Sequence, residues 1–401
     1  MFASGTVRRW AMVAACAVGL TVGVAADQAA AQRGGMAMGM RGGMGGGFAA
    51  PISKADLKKF GATLALDEDQ MSTAEVLLEA MQAEHDVIAK QARKETDRIR
   101  MEFEDSRDPS VWRDEFPKMM EEYQKGSQSL EKQFFEDMKM LLIPAQTERW
   151  PKVERLHRRI KSLPAGMLSG ETVDLIATVE QLKLEMPPAE LTATLDRYEA
   201  DMDRALIDRD KVREERTSGM MRGGFNFDME QLRKDMAELR KAGLTVCEVN
   251  QRYARTVEAT LPEERRAEFA QQVRVESFPR VYRETHTGKC VKAAAGFTDL
   301  SGEQKTAIAE LLATYEREVK SLNSKWADAV QATEADGGGD PMAMFMGGGE
   351  DGAVADARKA KRELDRVTRD KLMAVLNEEQ KERLPEREDE SQGGMIIRMG
   401  G

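Results

Sequence analysis

A short helix-starting motif recurs along the chain at matched separations, and this repetition constrains the fold more than any other feature. Residues 300–304 read Leu-Ser-Gly-Glu-Gln, and residues 376–380 read Leu-Asn-Glu-Glu-Gln, 76 positions later. The second residue of such a motif can cap the first helical turn, while the glutamine three positions on hydrogen-bonds back to the amide of that cap residue. Each copy therefore predicts the beginning of a helix.

Two more pairs of the motif lie earlier in the chain. One pair begins at Leu66 and Leu142, again 76 positions apart, and a degenerate pair begins at Met186 and Leu261, 75 positions apart. Three pairs with nearly equal spacing predict three copies of one unit, in which two long helices form an antiparallel hairpin. The residues to which we assign the structural role of the motif are Leu66, Gln70, Leu142, Gln146, Leu300, Ser301, Gln304, Leu376, Asn377 and Gln380.

The composition indicates long amphipathic helices around thin cores. Apolar residues make up 41 % of the chain, but aromatic residues only 5 %, and charged residues reach 32 %. Between Ile308 and Ala329 apolar side chains repeat every seven positions, a spacing typical of a coiled-coil seam. We therefore predict an all-α fold of three tandem helical-hairpin units with coiled-coil-like helices, together with Gly/Met-rich segments that lack regular structure.

The predicted domain organisation follows the motif pairs and the composition. Hairpin tips are expected near residues 104–117, 217–228 and 335–352, where glycine or proline interrupts the helical pattern. The predicted segments are a signal peptide (1–31), a flexible Gly/Met-rich segment (32–53), helical unit 1 (54–165), helical unit 2 (166–289), helical unit 3 (290–388) and a Gly/Met-rich tail (389–401).

The first 31 residues have the pattern of an export signal. Arg8 and Arg9 precede an apolar run, and an Ala-x-Ala site ends at Ala31. Cleavage there would remove two positive charges and one negative charge, and so change the net charge from −10 to −11. The pattern predicts a periplasmic protein with no stable membrane insertion after signal removal. Nucleic acid is excluded as a partner because phosphate contacts need a positive face.

Three local sequences predict interruptions of the helices. Pro117 is expected to break the first unit near its tip, because proline cannot donate a helical hydrogen bond. Gly243 is expected to end a helix, with Thr245 capping the next one. The pair Thr287-Gly288 is expected to form a turn.

Paired motifs that flank a helical hairpin in an exported, methionine-rich chain resemble the Spy/CpxP family of periplasmic proteins, whose signature is Leu-Thr-x-x-Gln. The resemblance covers the three units and implies an ATP-independent chaperone or envelope-stress protein built as a helical cradle. The chain departs from the family pattern because no copy has threonine at the second position, and because Glu190 and Arg265 replace the glutamines of unit 2.

Catalysis is not predicted from this sequence. The three histidines are scattered, and the chain has no zinc-protease motif, nucleophile elbow or phosphate-binding glycine loop. Carboxylates at this density on helices usually form a solvated face. We therefore predict no enzyme activity, no catalytic residue, no cofactor and no metal-binding residue.

The two cysteines of the mature chain, Cys247 and Cys290, are predicted to form one disulfide, because export supplies an oxidising compartment. His286 precedes Cys290 by four positions and offers an alternative role for it as a metal ligand, which the expected turn at Thr287-Gly288 disfavours. His85 lies on the apolar stripe of unit 1 and is interpreted as a core histidine.

Methionines cluster in the Gly-rich segments, where they cannot join a core. They are predicted to contact unfolded or partly folded exported proteins, since thioethers adapt to irregular apolar partners. Copper binding is the alternative, because thioethers also bind Cu(I). A structural coiled-coil spacer is the third hypothesis, and self-association is left open. The predicted client-binding residues are Met220, Met221, Phe225, Met342, Met344, Phe345 and Met346.

Overall fold

The computed structural model describes residues 48–222, 229–336 and 352–386, and within these ranges the chain is helical and contains no strand. The all-α prediction is thereby confirmed. The predicted signal peptide, most of the segment 32–53 and the tail 389–401 lie outside the described residues. The helices are α1 (Lys54–Leu64), α2 (Glu68–Ser106), α3 (Pro109–Met140), α4 (Pro144–Thr147), α5 (Trp150–Ser162), a 3-10 turn (Leu163–Ala165), α6 (Leu175–Gln181), α7 (Ala189–Arg222), α8 (Met229–Thr260), α9 (Glu263–Ser277), α10 (Pro279–Tyr282), α11 (His286–Ala295), α12 (Gly302–Asp336), α13 (Ala353–Val375) and α14 (Glu378–Glu382).

Three pairs of long helices pack along their lengths: α2 with α3, α7 with α8, and α12 with α13. We call these hairpin 1, hairpin 2 and hairpin 3. In hairpin 1, Arg98 near the end of α2 forms an ion pair with Glu115 near the start of α3, which fixes the two helices as antiparallel. That the hairpins are copies of one repeated unit stays a prediction.

Each hairpin has a core near its base, where short helices add a further layer to the two long ones. In hairpin 1, Phe60 and Leu64 of α1 and Trp150 and Val153 of α5 pack with α2 and α3. Hairpin 2 has a larger core to which α6 and α9 contribute. In hairpin 3, Cys290 and Val291 of α11 pack with Ile308 of α12 and Leu372 of α13.

The turn of hairpin 1 lies between α2 and α3, and its details differ from expectation. Arg107 and Asp108 form the turn of hairpin 1, with Arg107 in the left-handed region (φ 54°) and Asp108 capping α3. Pro117 does not break the helix. It lies inside α3, where the packing of Val111 and Met119 outweighs the loss of one backbone hydrogen bond.

Gly243 does not end a helix either, because α8 runs unbroken through it. The reason for a glycine here is close packing. A Cβ on residue 243 would lie 3.0 Å from Glu171 Oε2 and 3.1 Å from Leu168 Cδ1. Consistent with a continuous helix, Thr245 bonds back to the Lys241 carbonyl instead of capping a new one.

The expected turn at Thr287-Gly288 is also wrong, since both residues lie in the first turn of α11, which Thr285 caps. Gly288 packs against the ring of Tyr315, where a Cβ would lie 3.3 Å from Cε1. The predicted boundary between residues 289 and 290 therefore falls within α11, and this helix contributes Cys290 and Val291 to the core of hairpin 3.

Candidate interaction surface

Two glutamines join the ends of hairpin 1. Gln70 and Gln146 exchange hydrogen bonds between their side-chain amides, and both Nε2–Oε1 distances are 2.8 Å. Each Nε2 also donates to a backbone carbonyl: that of Gln70 to Leu141 (2.7 Å) and that of Gln146 to Ala65 (3.1 Å). Each Oε1 also accepts the backbone amide of its own cap residue, Asp67 or Ile143. Both amides are fully satisfied, so the residues act structurally.

Hairpin 3 has the same arrangement at its base. Gln304 Nε2 lies 3.0 Å from Gln380 Oε1 and 2.8 Å from the Val375 carbonyl. Ser301 and Asn377 cap the two helices, and each glutamine accepts the amide of its own cap residue. The capping prediction thus holds at these residues, and it explains why the motif needs both a cap residue and a glutamine.

Hairpin 2 lacks the glutamine pair, and the free carbonyls at the end of α8 accept hydrogen bonds from an arginine instead. Arg265 occupies the glutamine position, but it pairs with Glu268 at 2.8 Å. Its neighbour Arg266 donates to the carbonyls of Leu261 (3.0 Å) and Ala259 (3.1 Å) at the end of α8. An arginine one position later therefore satisfies the free carbonyls at the helix end.

A polar junction connects the three hairpins around the loop between the 3-10 turn and α6. Arg209 of α7 is buried and donates to Glu171 Oε1 (2.8 Å) and to the Ser162 carbonyl (2.6 Å). Ser169 binds Glu334, close to the end of α12, through its backbone amide (3.1 Å) and its hydroxyl (2.9 Å). We call Ser162, Ser169, Glu171, Arg209 and Glu334 the junction.

The junction places two carboxylates near each other in a poorly solvated region. Burial raises the pKa of Glu334 above its usual range, although the hydrogen bonds from Ser169 oppose the shift. The Glu171 carboxylate adds to the rise. Arg209 and the amides of Met167 and Leu168 hold Glu171 in place. Sequence analysis missed these residues, because hydrogen-bonding partners 165 positions apart leave no local pattern.

An apolar stripe lies on the solvent side of α2, opposite the face that packs on α3. Val76 is 55 % exposed and Val87 is 66 % exposed, with the exposed Ala80 and Ala83 between them. These positions are spaced by four, three and four residues, so they share one face of the helix. We call them the α2 stripe. Sequence analysis did not find it, although the spacing of a second apolar face was present as a signal.

The side chains of the predicted client-binding residues fall outside the part of the chain that the structure describes. Met220 and Met221 belong to the last turn of α7, and their side chains are outside the description. Phe225 lies between α7 and α8, outside the described residues. The same holds for Met342, Met344, Phe345 and Met346, which lie between α12 and α13.

The predicted disulfide is not formed in the structure, where Cys247 and Cys290 are both free and buried. Cys247 lies in hairpin 2 and contacts the Ser169 carbonyl at 3.4 Å. Cys290 packs in the core of hairpin 3. Burial raises the pKa of both thiols, so each is held in its protonated and unreactive form.

His286 and Cys290 come together on α11, but not as a metal site. The sulfur is almost equally far from the two ring nitrogens, at 3.7 Å from Nδ1 and 3.6 Å from Nε2, so it is directed at the lone pair of neither nitrogen. His286 Nε2 is already bonded to the Pro385 carbonyl at 2.9 Å. Across the described ranges, no three His, Cys, Asp or Glu side chains converge as metal ligands would.

His85 is fully buried, as its place on the apolar stripe indicates, and its Nε2 lies 3.0 Å from the Tyr123 hydroxyl. Burial lowers the pKa of this histidine. Among the helices that the structure describes, none is both long and apolar enough to cross a membrane. Comparison with known proteins finds no match among family models, curated proteins or solved structures.

Proposed function

We propose that this chain is a periplasmic, ATP-independent holding protein of the chaperone type, which binds apolar segments of unfolded exported proteins. The observation that carries the proposal is the α2 stripe, an apolar surface on the solvent side of a helix whose other face already packs in a core. An exposed apolar surface of this kind usually marks an interaction site. The motif resemblance to the Spy/CpxP family supports the same function.

The dimensions of the stripe suit a short extended segment. Val76 and Val87 are eleven positions apart, which corresponds to about 16 Å along the helix. An extended chain covers that distance with roughly five residues. Because valine and alanine offer contact area without hydrogen-bonding groups, the stripe would select apolar character and not a particular sequence. A holding protein with many clients needs this kind of selectivity.

The methionines at the tips of hairpins 2 and 3 provide a second contact surface in this proposal. Met220, Met221, Met342, Met344 and Met346 lie in or next to glycine-rich sequence. Phe225 and Phe345 add aromatic surface. Methionine side chains adjust to irregular partners because they are long, unbranched and polarizable. Copper binding is the competing function, since the spacing of Met342, Met344 and Met346 would also suit a soft metal ion.

The test is suppression of client aggregation by the chain lacking residues 1–31, without ATP. Light scattering of a chemically denatured client, diluted into buffer with and without the protein, measures the activity. Val76→Ser with Val87→Ser should weaken the suppression. Lys90→Ser, an exposed change on the same helix outside the stripe, is the matched control and should leave it intact. Equal suppression by all of these proteins would remove the stripe from the proposal.

Substitutions at the tip separate client binding from copper binding. Leucine at positions 342, 344 and 346 keeps the apolar character and removes the sulfur, whereas serine removes both. If suppression survives leucine and falls with serine, apolar contact accounts for the activity. If both variants lose Cu(I) affinity alike and the native chain never suppresses aggregation, copper binding replaces the proposal. A chain that does neither is a structural spacer.

A further inference from the structure

The segment before α1 lies against hairpin 1 and contributes one aromatic side chain to it. Phe48 is 6 % exposed, and its ring meets the ring of Tyr123 of α3 edge to face, with 4.8 Å between the centroids. Phe48 belongs to the same apolar cluster as Ala89 and Ala92 of α2. Because protein interiors are close-packed, these small alanines leave room that a side chain from outside the hairpin fills. We call residues 48–52 the strap, and the place of the Phe48 ring the strap pocket.

Two side chains of α2 hold the backbone of the strap. Gln82 Nε2 donates to the Ile52 carbonyl at 3.0 Å, and Arg93 donates to the Phe48 carbonyl at 3.4 Å. The two donors are eleven positions apart and share one face of the helix, so the strap runs along α2. Arg93 contacts only a main-chain oxygen of the strap, and any extended segment can offer the same group.

The two ends of the strap are bound unequally. Ile52 is fully buried in the base core of hairpin 1, directly before Ser53, which caps α1. At the other end Phe48 is the buried residue, and the neighbouring Ala49 is exposed. The free energy gained by burial of one phenylalanine is of the same order as the cost of ordering three backbone residues. The start of the strap can therefore leave the pocket while Ile52 stays in place.

The strap also leaves a polar atom near its pocket unsatisfied. Tyr123, the residue on which Phe48 packs, has its hydroxyl 3.0 Å from His85 Nε2. His85 is fully buried, and its Nδ1 has no hydrogen-bond partner in the part of the chain that the structure describes. A buried nitrogen without a partner costs free energy, and the phenylalanine side chain has no polar atom to supply one. The strap is thus an imperfect occupant of this place.

We propose that the strap pocket is a binding site for extended apolar segments that carry an aromatic residue, and that the strap covers it as an autoinhibitory contact. A bound segment places its aromatic ring against Tyr123 and its main-chain carbonyl on Arg93, as Phe48 does in the closed state. Opening of the strap controls access to the pocket. That the natural ligand is an unfolded exported protein rests on the proposed function, whereas binding in the pocket does not.

The test is fluorescence anisotropy of a labelled peptide, Phe-Ala-Ala-Pro-Ile-Ser, which has the sequence of residues 48–53. Phe48→Ala empties the pocket in the full chain. This variant should bind the peptide about tenfold more tightly than the native chain, because a competing closed state lowers the apparent affinity. Phe103→Ala, at a partly buried position of α2 outside the apolar cluster, is the matched control and should bind like the native chain.

Pro51→Gly tests the strap without removing a side chain from the pocket. Glycine frees the backbone that proline restricts, so the strap opens more often, and the peptide should bind roughly twofold to fivefold more tightly than to the native chain. Pro187→Gly, at an exposed position before α7, is the control for this variant and should leave the affinity unchanged.

Tyr123→Ala in the Phe48→Ala chain should abolish peptide binding, because it removes the ring on which the aromatic side chain packs. Circular dichroism checks that the variants stay folded. Equal affinities for the native, Phe48→Ala and Pro51→Gly chains would overturn the proposal, and so would equal binding of a peptide with alanine in place of its phenylalanine. A chain that binds the peptide as expected but never suppresses client aggregation would support the pocket and refute only the proposed function.

Discussion

Gln70 and Gln146 hydrogen-bond to each other in both directions, although 76 positions separate them in the chain. The bonds join the first turn of α2 to the first turn of α4, which follows α3 directly. They close the base of hairpin 1, and they bring together the two motif copies that define the unit in the sequence.

Replacement of Gln146 by leucine should destabilise hairpin 1. It leaves the Ala65 carbonyl and the Ile143 amide without their partners, and it removes one partner each from Nε2 and Oε1 of Gln70. Unsatisfied buried groups of this kind cost about 1–3 kcal/mol each, so we expect a loss of roughly 2–4 kcal/mol. Chemical denaturation measures it. Gln91→Leu, at an exposed position of α2, should cost less than about 0.5 kcal/mol. Equal losses for the two variants would contradict the role of the pair.

Replacement of Gly243 by alanine should also destabilise the chain, even though alanine favours helices. The new Cβ would meet Glu171 Oε2 at 3.0 Å, and this carboxylate is fixed by Arg209. Overpacking of this type costs roughly 1–3 kcal/mol. Gly302→Ala is the matched control, because nothing lies within 4 Å of a Cβ there. A stabilised Gly243→Ala variant would show that the loop at Glu171 moves away freely.

Replacement of Glu334 by glutamine should stabilise the junction at neutral pH. A carboxyl whose folded pKa is raised contributes stability at low pH that is lost as the pH rises through that pKa. The glutamine keeps an acceptor for Ser169 and removes the ionised group. We expect a higher Tm than that of the native chain at pH 7.5, and no difference from the native chain at pH 4.

Glu310→Gln, at an exposed position of the same helix, is the control for this experiment and should leave the Tm unchanged at both pH values. A lower Tm than that of the native chain at pH 7.5, with no difference at pH 4, would reverse the sign and show that the ionised form of Glu334 is the stabilising one.

The cysteines should titrate as two thiols. In the chain without residues 1–31, a thiol reagent added in denaturant without reductant should react with both Cys247 and Cys290. In the native protein the same reagent should react slowly, because both side chains are buried. If no thiol reacts in denaturant, the prediction of two free thiols is wrong, and Cys247 and Cys290 form the disulfide that the sequence predicts.

Export stays a prediction, and N-terminal sequencing of the native protein tests it. The basic residues, the apolar run and the Ala-x-Ala site predict a mature chain that begins at Gln32. An intact Met1 in the native protein would contradict both the signal peptide and the periplasmic location.

Local patterns predicted the helix starts well, because a capping residue and its glutamine lie within one turn. Asp67 with Gln70 and Asn377 with Gln380 form complete capping boxes, as their sequences indicate. The interruptions at Pro117 and Gly243 were predicted incorrectly, because local propensity was outweighed by packing between distant segments. Gly243 in particular is required by Glu171, a neighbour that only the folded chain brings close.

The candidate surface was predicted less well than the fold. The methionine clusters are visible in the sequence, whereas the α2 stripe was not predicted, because two valines and two alanines among charged residues give a weaker apolar pattern than the core face of the same helix. The junction had no sequence signal at all. Ser169 and Glu334 belong to different hairpins, and nothing in either local sequence identifies the other.

The glutamine pair also affects how the chain finds its fold. Gln70 and Gln146 offer the same donors and acceptors as Gln304 and Gln380, so the amides alone do not distinguish the right partner from the wrong one. The connection between the helices favours the correct partner. Only Arg107 and Asp108 separate the two arms of hairpin 1. Pairing of neighbouring arms therefore closes a shorter loop, which costs less entropy than pairing with a distant arm. Where folding is slow or the chain is concentrated, the identical pairs permit arms to be exchanged between hairpins or between molecules.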